Sequence, residues 1–267
     1  LWRMRAQTEA ARALVYYAAA QVDFGKLGDE AAAMRAEILT PLAKAHATDI
    51  GCEVASLGIQ VHGGMGFIEE TGAAQHYRDA RIAPIYEGTN GIQAADLVGR
   101  KLGMAGGDLI RGLIDDIAAG AGEDFPELGQ LAEACRAVTD WMANAPVPDR
   151  LAGSYPYLTM LATATCGWLM ALQHRGAKAA IEEGTGDPAF LEAKIASTRF
   201  YLQQVVPAAA GLAPSALATS TSAAHGDQGR PESVDHDTPT DEFSTSRLIG
   251  TAPSRSTTAV TCGVQCG

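Results

Sequence analysis

The sequence lacks a long uninterrupted hydrophobic run. Its most apolar stretch, residues 157–172, is broken by threonines and a glycine and is shorter than the roughly 20 residues that a helix needs to cross a bilayer. This stretch is therefore predicted to be a buried helix. The first residues already mix charged and apolar side chains at helical spacing, so no signal peptide is visible. We expect no membrane association.

Positive charge is scarce relative to negative charge. The chain of 267 residues contains 20 Lys and Arg against 31 Asp and Glu, and its formal net charge at pH 7 is -11. This disfavours binding to nucleic acid or to an anionic membrane, because phosphates would be repelled at long range. Small-molecule or protein partners are favoured instead. An anionic ligand would have to meet a local basic patch that the net charge conceals.

The cysteines do not form a disulfide framework. They are five in number, which is odd, and they are widely scattered, so a reducing compartment such as the cytoplasm is expected. Cys262 and Cys266 have a C-x-x-x-C spacing but no His or further Cys nearby, so no metal site is predicted there. Cys52, Cys135 and Cys166 lie in segments with apolar residues at helical spacing and are predicted to be small core residues.

Apolar residues recur at helical spacing along most of the chain and predict an all-α fold. A helix over residues 1–24 ends at glycines. A second begins after Asp29 and meets Pro41, which could kink it or start a new helix. The short joints between these helices suit antiparallel packing in a bundle. Further helices are predicted over residues 42–57, 73–82, 90–102, 109–119, 127–143, 157–176 and 188–206.

Changes in composition divide the chain into three parts. The glycines of residues 103–107 predict a flexible joint, so we predict one helical domain over residues 1–104 and a second helical bundle over residues 105–210. From Gly211 the sequence becomes rich in Ser, Thr, Ala, Pro and Gly and contains hardly any aromatic residues. Such a segment cannot bury enough surface to offset its chain entropy. Residues 211–267 are therefore predicted to be a disordered, low-complexity tail.

The segment Y-E-G-T-N-G-I-Q around Glu87 contains the most informative candidate site. Glu87 stands between an aromatic residue and a run that opens a helix, where Thr89 or Asn90 can cap free amides. Gly88 and Gly91 allow the backbone to approach a flat ligand closely. From these residues alone, Glu87 could equally be a solvated turn residue, and Thr89 could be only a helix cap.

The sequence before and within this segment resembles one protein family. Residues 58–93 contain Q-V-H-G-G-M-G-F, then R-D-A-R, then Y-E-G-T. The C-terminal helical domain of the flavin-dependent acyl-CoA dehydrogenases is similar, since it carries Q-x-x-G-G-x-G-aromatic, R-D-A-R/K and Y-E-G-T in the same order. The sequence that flanks these motifs resembles the 3-methylmercaptopropionyl-CoA dehydrogenase type, which has an extra C-terminal helical domain. The resemblance covers residues 1–206.

The resemblance implies a reaction and a catalytic base. In the family, the glutamate of Y-E-G-T removes the α-proton of an acyl-CoA thioester, and FAD accepts a hydride from the β-carbon, which yields the 2,3-enoyl-CoA. Glu87 is therefore the expected base. The backbone at Glu87 and Gly88 is expected to bind the substrate, with the Glu87 amide donating to the thioester oxygen.

The resemblance also implies contacts with the flavin. Thr89, Asn90 and Gly91 match the segment that lies against FAD, although glycine at position 91 leaves only a backbone contact there. Gln60 and Gly64 match the segment that contacts the adenosine diphosphate end of the FAD of a neighbouring subunit. A homo-oligomer, either a dimer or a tetramer, is therefore expected, with an electron-transferring flavoprotein as a partner.

The sequence departs from complete members of the family. Their N-terminal helical domain and β-rich middle domain have no counterpart in it, and the first residue is not methionine. We expect it to be part of a longer protein and, alone, to retain little flavin and to show no turnover. Two alternatives stay open. The chain could be a catalytically silent helical interaction module, or it could belong to an acyl-CoA oxidase, in which oxygen takes the flavin electrons.

Overall fold

The computed structural model describes residues 1–220, which contain helices and no β-strand. The predicted all-α class is confirmed. Two 3-10 turns, Glu69–Thr71 and Lys101–Gly107, and one π-helical turn, Tyr201–Val205, accompany the α-helices. The α-helices are α1 (Trp2–Lys26), α2 (Glu30–His62), α3 (Gly64–Phe67), α4 (Ala73–Ala80), α5 (Asn90–Gly99), α6 (Asp108–Ala121), α7 (Pro126–Asn144), α8 (Val147–Ala152), α9 (Ser154–Glu182), α10 (Pro188–Phe200), α11 (Val206–Ala210) and α12 (Ala213–Ala216).

Helices α1 and α2 pack antiparallel to each other along their length. Gly28 turns the chain between them with a φ of 101°, and the Asp29 carboxylate then caps α2 by accepting from the Ala32 amide at 2.9 Å. At the far end, Arg3 donates to Glu53 at 2.8 Å. The predicted helix over residues 1–24 and the short joint after it are confirmed.

Pro41 does not start a new helix. Helix α2 continues through it, and Pro41 itself is buried. A proline inside a helix removes one backbone hydrogen bond and clashes with the preceding turn. Apolar side chains on both sides of it, Leu39 and Leu42, are fully buried in the core. Their burial holds the helix together at this point, so the predicted separate helix over residues 42–57 is wrong.

Helix α9 lies at the centre of the described chain. Its stretch from Tyr157 to Met170 is almost entirely buried and contacts helices that precede and follow it in the sequence. The prediction of a buried helix over residues 157–172 is confirmed. One continuous apolar cluster extends through α9, from Ala6 in α1 to Ala216 in α12. The division into two domains near residue 104 stays a prediction.

The connection between α5 and α6 is anchored at one end. Lys101 is buried, and its ammonium group donates to the backbone oxygen of Glu37 and, at 2.9 Å, to the Glu37 carboxylate. The hydrogen bond and charge of Lys101 lower the pKa of Glu37. After this anchor, Ala105 and Gly106 adopt left-handed backbone angles, with φ of 49° and 70°. The segment is therefore a turn whose two ends, Lys101–Leu102 and Gly107, are buried, whereas Gly103 and Gly106 are exposed.

The three predicted core cysteines are confirmed. Cys52, Cys135 and Cys166 are buried and free. Burial raises the pKa of Cys135 and of Cys166 to about 12, so both stay protonated at neutral pH and act as small apolar residues. Cys262 and Cys266 lie outside the described residues.

Order extends past Gly211, where the tail was predicted to begin. Ala216 is fully buried, and its carbonyl oxygen lies so close to Gly153 that an added Cβ there would be 2.1 Å from it. The amide and hydroxyl of Ser220 both donate to Asp149 Oδ1, at 2.7 and 2.6 Å. The remainder of the predicted tail, residues 221–267, lies outside the described residues.

Candidate active site

The Y-E-G-T segment lies in a turn between α4 and α5. Helix α4 ends at Ala80, and the buried Pro84 then carries the chain across to α5. The amide of Asn90 donates to the Pro84 carbonyl at 3.0 Å, which closes the turn that contains Glu87. The predicted break at Pro84 is confirmed, and its effect is to present the intervening residues on the surface.

Glu87 has a left-handed backbone conformation. Its φ is 52°, and this backbone region costs a residue with a Cβ about 1–2 kcal/mol of conformational free energy. Gly88 follows with a φ of 86°, which only glycine adopts readily. The Glu87 side chain is exposed, and it makes no hydrogen bond or ion pair with residues 1–220. The turn therefore holds the main chain in a strained shape while the carboxylate remains free.

Thr89 caps helix α5. Its Oγ1 accepts a hydrogen bond from the Ile92 amide at 3.3 Å, which confirms the predicted cap. Gly91 is exposed, and an added Cβ there would meet nothing closer than 3.8 Å. The fold itself therefore does not require glycine at position 91. The roles of Thr89 and Gly91 at a flavin stay predictions.

Asn90 is buried, and its side chain joins α5 to α2. Its Nδ2 donates to Asp49 Oδ1 at 2.8 Å and to the Ala45 carbonyl at 3.0 Å. Its Oδ1 accepts from Lys44 Nζ at 2.8 Å. Because these bonds occupy the amide, any contact of Asn90 with a flavin would have to come from its backbone. The assignment of Asn90 to the cofactor stays a prediction.

Sequence reasoning missed the residues that hold Asn90. The Tyr155 hydroxyl donates to Asp49 Oδ2 at 2.5 Å, so α9 is tied to the same carboxylate. Burial and the bond to Asp49 raise the pKa of Tyr155 to about 12. The one available signal was a pair of polar residues on α2, Lys44 and Thr48, which lie one turn apart. Nothing in that pair indicated which residue it would bind.

The second predicted flavin segment lies at the carboxyl end of α2. Gln60 and Gly64 are exposed, and an added Cβ at Gly64 would meet nothing within 4 Å. At Gly66, in contrast, an added Cβ would lie 2.3 Å from the Ile59 carbonyl oxygen. Glycine at position 66 is therefore required by the packing of α3 on α2, whereas glycine at position 64 is not.

The structure does not bring the two predicted flavin segments together. Gln60 and Asp49, the residue that holds Asn90, lie on the same helix, and a rise of about 1.5 Å per residue separates them by roughly 16 Å along its axis. Within residues 1–220, no group of three or more His, Cys, Asp or Glu side chains could hold a metal ion. No helix in that range is long and apolar enough to cross a membrane.

Two family models match successive parts of the chain. The model described as acyl-CoA dehydrogenase, C-terminal domain, matches residues 1–102. The model described as acetyl-CoA dehydrogenase C-terminal like matches residues 108–226. The boundary between the two matches falls within the turn Lys101–Gly107.

Similar proteins of known activity extend well beyond this chain. It is 43% identical over 227 residues to the 3-methylmercaptopropionyl-CoA dehydrogenase of Ruegeria pomeroyi, across 77% of this chain and 38% of that protein. It is 32% identical to a butyryl-CoA dehydrogenase of Syntrophomonas wolfei, across 80% of this chain and 38% of that protein. The chain thus spans less than two fifths of the length of either relative.

A solved structure shares the fold. An acyl-CoA dehydrogenase from Bacillus anthracis, complexed with FAD, superposes with a TM-score of 0.63 at 19% sequence identity. The match covers 82% of this chain and 41% of that one. At this identity the likeness concerns the fold alone.

Proposed function

Because the chain belongs to the acyl-CoA dehydrogenase family, we propose that it supplies the catalytic base of an enzyme that oxidises an acyl-CoA thioester to the 2,3-enoyl-CoA. Glu87 removes the α-proton, and the backbone at Glu87 and Gly88 binds the thioester. FAD, when bound, takes up the hydride from the β-carbon. An electron-transferring flavoprotein is the electron acceptor that the resemblance implies. The chain acts as part of a larger assembly.

The observation that carries this proposal is the conformation of Glu87. Residues on both sides of it are fixed, since Thr89 caps α5 and Asn90 is bound to Asp49 and to the Pro84 carbonyl. Glu87 itself keeps a strained left-handed backbone and a free carboxylate. A fixed main chain that presents an unpaired carboxylate suits a base whose position must be held against one carbon atom of a substrate.

Exposed apolar side chains around Glu87 support its location at an assembled site. Ile85, Tyr86 and Ile92 are each more than half exposed. An apolar patch of this kind marks a surface that another protein or a ligand covers. Covering it would also remove water from the neighbouring carboxylate, and a desolvated carboxylate is a stronger base than a solvated one.

The glycines at positions 64 and 91 support contact with a flavin. A Cβ at position 64 would meet nothing within 4 Å, and one at position 91 would meet only Thr89 Oγ1 at 3.8 Å, so neither glycine is needed for packing within the described residues. Backbone without a side chain can approach a pyrophosphate or a flat ring closely. The resemblance assigns the Gly64 segment to the flavin of a neighbouring subunit, so we propose a homo-oligomer in which one protomer contacts the cofactors of two active sites. Exposed Val61, Met65 and Phe67 surround the Gly64 segment and would be covered in such an oligomer.

The experiment is a chimera in which residues 1–220 replace the matching region of the Ruegeria pomeroyi relative. We expect the chimera to retain FAD and to show flavin bleaching when an acyl-CoA is added without oxygen. Glu87→Gln should lower the rate of bleaching by about 100-fold or more, because proton removal is part of the rate-limiting chemistry. Glu70→Gln, at another exposed glutamate, is the matched control.

Two outcomes would count against the proposal. A chimera with full FAD content that is bleached equally fast with and without Glu87→Gln would exclude Glu87 as the base. Tight stoichiometric binding of FAD by the chain of 267 residues alone would show that it needs no further protein to form the cofactor site.

A further inference from the structure

A cavity of about 310 Å³ lies far along the sequence from Glu87, between the start of α7, the second half of α9 and the π-helical turn after α10. Its volume is at the lower end of the range for small-molecule sites, which begins at about 300 Å³. Nothing in the proposed dehydrogenase chemistry uses it. Its polar wall is formed by His174, Arg175, Lys178 and Arg199.

Basic side chains outnumber acidic ones around this cavity. Arg175 already has partners in the protein, because its Nη2 donates to the Ala121 carbonyl at 3.4 Å and lies 3.8 Å from Asp124 Oδ2, and its guanidinium lies over the Phe125 ring at 5.3 Å. Lys178 and Arg199 form no ion pair with any described residue. Besides Asp124, one further carboxylate, Glu127, lines the cavity. Such a local excess of positive charge is unusual in a chain whose net charge is -11.

His174 also lines the cavity, and its ring nitrogen Nδ1 is buried out of contact with solvent. The residue is only 5% exposed, and its Nδ1 has no hydrogen-bond partner. Leaving a buried polar atom unpaired costs about 1–3 kcal/mol, and it calls for an explanation. The ring is held edge-on to Phe125, with their centroids 5.4 Å apart. Burial lowers the pKa of His174, and the charges of Lys178 and Arg199 lower it further.

The remaining wall is also suited to an anion. Helix α7 spans Pro126–Asn144 and begins at the cavity. Pro126 has no N–H and the Leu128 amide donates to the Phe125 carbonyl, so the Glu127 amide is the one donor of this first turn that has no backbone partner. The amino end of a helix carries partial positive charge and free N–H groups. On the other side, the π-helical turn Tyr201–Val205 contributes Leu202 and Gln203. Single π-helical turns occur often at functional sites.

We infer that this cavity binds a phosphate group, either as the free ion or as the ester of a small alcohol. Lys178, Arg199 and the Glu127 amide at the start of α7 bind the phosphoryl oxygens. The phosphate supplies the negative charge that Lys178 and Arg199 lack in the protein. Binding requires neither flavin nor acyl-CoA.

The experiment measures binding to the full chain by calorimetry at constant ionic strength, with inorganic phosphate in one arm and glycerol 3-phosphate in the other. Lys178→Gln and Arg199→Gln should each weaken binding by about tenfold, since each removes a charge-assisted hydrogen bond. Arg12→Gln is the matched control, because Arg12 is exposed and has no ion pair among the described residues. Both cavity side chains are exposed, so thermal melting should show that the variants fold.

The two arms identify the source of the phosphate. Tighter binding of glycerol 3-phosphate indicates an organic ester, and equal or tighter binding of inorganic phosphate indicates the free ion. Absence of binding in both arms in the millimolar range overturns the inference. So does an equal loss of affinity in Arg12→Gln and Lys178→Gln, which would indicate a general charge effect. Either failure leaves the role proposed for Glu87 unaffected.

Discussion

Asn90 Nδ2 donates a 2.8 Å hydrogen bond to Asp49 Oδ1, which fixes the first residue of α5 against the middle of α2. The other oxygen of Asp49 accepts from the Tyr155 hydroxyl of α9. Three helices therefore meet beside Glu87 through one carboxylate. The turn that presents Glu87 depends on contacts between residues that are far apart in the sequence.

Removing the Asn90 amide should destabilise the protein. Asn90→Ala removes the partner of Asp49 Oδ1 and of Lys44 Nζ in a part-buried site, although Tyr155 still donates to Asp49 Oδ2, so we expect the free energy of unfolding to fall by about 2–3 kcal/mol. Denaturant unfolding monitored by circular dichroism measures this. Asn144→Ala is the control, because Asn144 is exposed and donates only to a backbone carbonyl of its own helix. Equal losses for both variants would show that the Asn90 bonds are not coupled to stability.

Relieving the strain at Glu87 should stabilise the fold while removing the base. Glycine has no Cβ penalty at a φ of 52°, so Glu87→Gly should raise the free energy of unfolding by about 0.5–1 kcal/mol. The same change at Glu70, which lies in the 3-10 turn Glu69–Thr71 and has no positive φ to relieve, should lower stability by a similar amount. A loss of stability in Glu87→Gly would mean that the carboxylate makes a stabilising contact in solution.

Two glycines of the G-G-x-G segment should respond differently to alanine. Gly66→Ala places a Cβ 2.3 Å from the Ile59 carbonyl oxygen and should cost about 1–3 kcal/mol of stability. Gly64→Ala meets nothing within 4 Å and should leave stability unchanged. In the chimera, however, Gly64→Ala should weaken FAD retention, because the added methyl group would stand where the cofactor approaches. Full FAD retention would remove Gly64 from the flavin site.

Stability should fall in mildly acidic solution because of His46. Burial lowers the pKa of His46 from 6.5 to about 4, against the opposing charges of Asp49 and Glu53. The unfolded chain therefore takes up a proton between these values while the folded protein does not, and stability is lost as the pH falls from about 6.5 to 4, by about 3 kcal/mol for this group.

The pH effect can be assigned to one residue by substitution. In His46→Gln the decrease in unfolding free energy between about pH 6.5 and 4 should be smaller by most of this amount. His76→Gln, at an exposed histidine, should retain the full decrease. An unchanged pH profile in His46→Gln would show that other groups cause the acid sensitivity.

Features that depend on near neighbours were predictable. The cap at Thr89, the turn at Pro84 and the buried character of residues 157–172 all follow from side chains within a few positions of one another. The order in which the three motifs occur along residues 58–93 was enough to indicate the family. These predictions held because helix capping, proline geometry and apolar periodicity are local effects.

The sequence by itself determined that the chain is helical, where α5 begins and that Glu87 is the candidate base. Only the tertiary structure decided that α2 continues through Pro41, that Asn90 is bound to Asp49, and that the helix bearing His174 faces the amino end of α7. The reason is physical. These outcomes join residues that are distant in the chain, and their free energies depend on burial and hydrogen-bond geometry that exist only after the helices have packed.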